Sequence, residues 1–137
     1  MPLAALAGET VYAGAGNPRT AEWTDLARLL FQGRDIALAP AAPPALGDEE
    51  FQRIMAGMRC PVLAVVDFPL LPGTVLRPLV DPVPLSPVSL VWRKGLIHPA
   101  LADLRRAAAE LACAEGWLGA PGEGWLPAVD HVVMASP

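Results

Sequence analysis

At 137 residues, 53% of them hydrophobic, the chain is long enough to bury the core of one domain and too apolar to be disordered throughout. Its formal net charge of −4, with the basic residues scattered, excludes a phosphate-tracking nucleic-acid surface. The longest apolar stretch is cut by Asp67, Pro69 and Pro72, which excludes a membrane span.

Glu9–Ala13 reads as a first strand, rich in β-branched and aromatic residues, closed by Gly14-Ala15-Gly16-Asn17-Pro18. Thr20 is placed to cap a first helix, with Glu22 in the first turn and an apolar stripe of Trp23, Leu26, Ala27, Leu30 and Phe31. Gly33 stops it. Asp35 opens a second strand, Asp35–Pro40, followed by a loop to Leu46. A second helix starts at Asp48, with Glu49 and Glu50 in its first turn and Phe51, Ile54, Met55 and Met58 on its apolar face.

Pro61–Val66 is apolar at every position, the pattern of a central parallel strand covered on both faces. Residues up to 68 therefore predict a βαβαβ unit with right-handed crossovers. Thr74–Val80 and Val88–Trp92 are further strand candidates. Pro82, Pro84 and Pro87 between them suit an edge or a link between layers. Ala100–Ala114 predicts a third helix, with Leu101, Leu104, Ala108 and Leu111 as its stripe and Arg105, Arg106 and Glu110 mostly opposite. The tail repeats Glu-Gly-Trp-Leu, and its Trp117 and Trp125, large apolar groups in a Gly/Pro-rich setting, are expected to dock on the body or on a partner surface. His131–Met134 reads as a short strand or helix.

Chemistry-bearing patterns are sparse. Gly14-x-Gly16 follows a strand and precedes a helix, but position 19 is Arg where a dinucleotide loop carries a third Gly, and Asp35 begins the second strand instead of ending it. A weaker expectation survives. Helix N-terminal N–H groups at the carboxyl end of a parallel sheet favour small anions, and Asn17, Arg19 and Thr20 stand there to help. His98 and His131 have no His or Cys partners at ligand spacing, so no metal and no cofactor is expected. Ser86, Ser89 and Ser136 lie on no nucleophile-elbow pattern, and no enzyme activity is expected. Cys60 and Cys113 read as buried thiols of a reducing compartment. The first basic residue is Arg19, so a secretory signal is not expected and the expected location is the cytoplasm.

Residues 6–111 resemble the effector-binding region of LysR-type transcriptional regulators. The carrying runs are LAGETVY, then FQRIMAGMRCPVLAVVDFPLLPGTVLRPLVDP, then VSLVWRKGLIHPALADLRRAAAELA. The tail WLPAVDHVVM looks like a C-terminal extension of some members. The resemblance implies a periplasmic-binding-protein-like (type II) α/β fold in which a small organic anion binds in a cleft between two subdomains. On that scheme residues 1–72 are the second effector subdomain, a βαβαβ mostly parallel sheet with flanking helices. Residues 73–115 are the return strands and a C-terminal helix of subdomain one, and 116–137 a Trp/Gly/Pro-rich tail. The family's helix-turn-helix and linker helix have no counterpart among these runs, so direct DNA contact by this segment is not expected, while a homodimer is. The family's cleft loops map to Gly14–Thr20, Pro40–Leu46 and Asp67–Pro69. The implied effector-binding residues are Asn17, Arg19 and Thr20, with Phe68 as an apolar wall. The alternative is a free-standing small α/β enzyme, hydrolase-like, or an anion-binding protein.

Overall fold

A computed structural model of the chain describes residues 1–14, 21–42, 45, 48–117 and 124–134. It opens with a 3₁₀ turn, Leu3–Leu6, that the apolar pattern of the sequence does not announce. Leu3 and Leu6 from this turn are buried in the core. Strand β1 is Thr10–Val11, helix α1 Ala21–Phe31, strand β2 Ala37–Leu38 and helix α2 Asp48–Gly57. Strands β1 and β2 run parallel, with Thr10 opposite Ala37 and Val11 opposite Leu38. The Ala37 N–H donates to the Glu9 carbonyl and the Ala39 N–H to the Val11 carbonyl, both at 2.9 Å.

On the other edge of β1, Tyr12 pairs in parallel with Val62. The Tyr12 N–H donates to Pro61 at 2.9 Å and the Leu63 N–H donates back to Tyr12 at 2.8 Å. The spatial order is therefore β2, β1, then the 61–63 segment, all in one direction, with α1 and α2 in the connections. This supports an α/β architecture with parallel pairing. Parallel neighbours cannot be joined by a hairpin, which is why an intervening helix precedes each new strand.

The core lies on one face of β1. Val11 and Ala13 alternate inward and meet Ala27, Leu30 and Phe31 of α1, with Leu3 and Leu6 closing one side. Trp23, Ile36, Leu38, Leu63, Leu79 and Trp125 pack around this cluster. Two hydrogen bonds tie Val80 back to the chain start: Leu3 N–H to the Val80 carbonyl and Val80 N–H to the Met1 carbonyl, each 2.9 Å.

Several expectations change. Asp35 has φ 56°, the left-handed region, so it belongs to the turn before β2 and not to the strand. Pro61–Val66 is not a covered central strand. The middle position belongs to β1, the segment pairs on one side through Val62 only, and Val66 is 89% exposed. An unbroken apolar run records hydrophobicity; it does not say whether a second layer is there to cover it. Val88–Trp92 joins no ladder, and the preceding prolines, which cannot donate, leave a single short strand, β3 (Val83–Pro84). It pairs in parallel with β4, Gly124–Trp125. Helix α3 spans Pro99–Ala114, one residue longer than expected, and the final short element, α4, is a helix over His131–Met134. The tryptophans part company: Trp125 packs on the core, whereas Trp117 is 64% exposed. Cys60 is half-buried and Cys113 exposed, so neither is the buried thiol expected.

Candidate functional site

In a parallel α/β sheet ligands bind outside the carboxyl ends of the strands, where the connections to the following helices diverge. Here that edge is formed by Ala13 and Gly14 after β1, Ala39 and Pro40 after β2, and residues 64–68 after the third segment. Ala13 and Ala39 are both buried, so two small side chains floor the edge. Asn17, Arg19 and Thr20, the polar residues expected at the first of these loops, lie outside the described residues.

Phe68 is described, and it stands at this edge. The turn that carries it closes with the Phe68 N–H donating to the Val65 carbonyl at 3.1 Å. Its ring meets Phe51 of α2 at 5.8 Å between centroids and 59° between planes, within the tilted arrangement that aromatic pairs favour. Both rings are half-buried. The third segment and α2 are thus joined at the carboxyl edge by an aromatic pair that leaves apolar area facing solvent.

Thr24, on the first turn of α1, is a residue the sequence reading passed over. It is buried, and its hydroxyl donates toward the carbonyls of Ala13 and Gly14 at 3.5 and 3.4 Å. This contact anchors α1 to the end of β1. The signal was available: Thr24, Ala27 and Phe31 fall at helical spacing and all are buried, so Thr24 belongs to the stripe that apolarity alone attributed to its neighbours.

Two depressions lie elsewhere. An open one of about 660 Å³ sits at the amino ends of the strands, against Gly8, Glu9, Arg28, Gln32 and Asp35. A second, about 410 Å³, lies between the end of α1 and the tail, lined by Arg34, Trp125 and His131. Arg34 is engaged there in holding the helix end, donating to the carbonyls of Leu30 at 3.0 Å and Gln32 at 3.3 Å. Neither depression adjoins the carboxyl edge.

His98 is used as the cap of α3, its Nδ1 accepting the Ala100 N–H at 3.1 Å. Among the described residues no group of three His, Cys, Asp or Glu side chains is placed to hold a metal ion. Among the described residues, too, no helix is long and apolar enough to cross a membrane. Comparison with family models, curated proteins and solved structures finds no match to this chain.

Proposed function

We propose that the chain is the effector-sensing module of a LysR-type transcriptional regulator, binding a small organic anion at the carboxyl edge of its parallel sheet. The observation that carries this reading is the parallel pairing on both sides of β1, Thr10 with Ala37 and Tyr12 with Val62, which brings three strand ends to one edge. Residues 1–72 are the second effector subdomain, 73–115 the return segments and 116–137 a tail. Asn17, Arg19, Thr20 and the backbone N–H groups of the first loop contact the anion, and Phe68, steadied by Phe51, walls the apolar side of the ligand. Binding acts by favouring a closed arrangement of the module over an open one, so the effector shifts a pre-existing equilibrium. No chemistry is done on the ligand.

A thermal-shift panel of aliphatic and aromatic carboxylates tests this. A concentration-dependent rise in melting temperature is expected for at least one acid, lost in Asn17→Ala with Thr20→Ala. Phe68→Ala is expected to weaken an aromatic acid about tenfold or more, the loss of one ring contact. A panel without any shift, or a shift untouched by all three substitutions, contradicts the site.

A further inference from the structure

Arg34, just past the end of α1, and His131, at the head of α4, line one depression of about 410 Å³, a volume in the range of small-molecule sites. Trp125 lines it with them. The tail that brings Trp125 and His131 there is held at three points. Trp125 packs on the core, and its carbonyl accepts the Leu85 N–H at 2.9 Å. The Asp130 N–H donates to the Pro127 carbonyl at 2.9 Å, which closes the 3₁₀ turn Ala128–Asp130 directly before His131. Leu126 and Pro127, also in the lining, are buried. The walls are therefore set before a ligand arrives.

The polar lining is one-sided. Arg34 is a permanent cation, and Gln32 and His131 add N–H donors. Among the described residues no carboxylate lines the depression, in a chain with 14 acidic residues against 10 basic. The depression at the amino ends of the strands differs, since Glu9 and Asp35 face Arg28 there. The guanidinium of Arg34 keeps capacity. One nitrogen, Nη1, donates to the carbonyls of Leu30 and Gln32 at 3.0 and 3.3 Å, whereas no described residue accepts from Nε–H or Nη2–H. Those two groups form one edge of the planar guanidinium, a fork that grips two oxygens of a single anion. Arg34 is half-buried, so water screens that fork less than it would a fully exposed one.

We propose that this depression binds a phosphate monoester of a planar aromatic group. The number of oxygens selects phosphate. The free edge of Arg34 takes two, and the His131 imidazole offers an N–H to a third. A carboxylate has two oxygens, a phosphate monoester three terminal ones. The Trp125 ring, with Leu126 and Pro127, supplies the apolar side on which a flat group lies. The inference does not rest on the effector reading, because the depression lies away from the carboxyl edge and is built from the tail.

An NMR titration of the ¹⁵N-labelled full chain with phenyl phosphate tests it. Saturable shifts are expected at the Trp125 indole N–H and the Arg34 Nε–H, with a dissociation constant below about 1 mM. Benzoate and inorganic phosphate each lack one half of the ligand and are expected to bind about tenfold more weakly or worse. His131→Ala, at an exposed position, is expected to weaken phenyl phosphate about tenfold. Arg34→Lys keeps the charge and loses the fork, with a loss of about tenfold or more. Asn17→Ala with Thr20→Ala leaves this binding unchanged. Retained amide dispersion in each variant confirms the fold. No saturable shift at Trp125, benzoate bound as tightly as phenyl phosphate, or affinity indifferent to His131→Ala overturns the inference. Shifts confined to Ala13, Ala39 and Phe68 overturn it while leaving the effector site standing. Shifts at Trp125 in a protein that responds to no carboxylate support it without the effector reading.

Discussion

Asp35 shows how one backbone angle redraws an element. Its φ of 56° is tolerated by Asp and Gly and resisted by β-branched residues, and its carbonyl accepts the Gly8 N–H at 2.7 Å, locking the turn that starts β2 to the turn that starts β1. Asp35→Val is expected to lower stability by about 1–2 kcal/mol, while Asp35→Gly stays within about 0.5 kcal/mol of the parent. Urea midpoints of the two variants check this. Equal midpoints, or a more stable Val variant, place residue 35 in an extended strand after all. The sequence could not announce the angle, because Asp opens strands and fills left-handed turns alike. Thr24 is the companion case at the site. A hydroxyl that can donate to a nearby carbonyl is buried as readily as an alanine, and a reading that counts only apolar residues passes over it.

At the scale of elements, helices were legible and strands were not. The stripe of α1 was read from spacing and is buried at Leu26, Ala27, Leu30 and Phe31 and half-buried at Trp23, and its end carries the expected Gly33, at φ 72°. The bounds of α3 were read to within a residue, because Pro99 is tolerated at the first helical position and His98 stands before it as an acceptor. His98→Ala removes the acceptor for the Ala100 N–H. It is expected to fray the first turn of α3 by about 0.5–1 kcal/mol, the low end for a helix cap. Faster amide exchange at Ala100 and Leu101, with no change in α1, is the readout; unchanged exchange contradicts the capping role. The strands are two residues long where they ladder, too short for alternation to be counted, and apolar runs such as Pro61–Val66 exceeded the pairing they make. The Leu3–Leu6 turn lacked any periodic signal and still supplies two core leucines.

For the whole molecule, the order of strands is the consequential fact. The sequence led to three parallel segments separated by helices, and the structure pairs three such segments, but with β1 in the middle and Pro61–Leu63 outside it. Which strand is central follows from pairing partners far apart in the chain, and no local pattern encodes that. The carboxyl edge was legible as a place, since it depends only on direction; the Phe51–Phe68 pair was half legible, because Phe68 was read from resemblance and its partner was not. The extended stretch through residues 64–92 and the outer face of α3 leave much apolar surface in water.

The proposed site and its floor of small residues both require Tyr12 and Val62 to run in one direction. Through-hydrogen-bond NMR couplings on isotope-labelled protein test that pairing directly. Couplings from the Leu63 amide to the Tyr12 carbonyl and from the Ala39 amide to the Val11 carbonyl are expected together, with no close Hα–Hα contact between Tyr12 and Val62. A strong Hα–Hα contact at that pair, the mark of antiparallel neighbours, would contradict the sheet and the candidate site built on its edge.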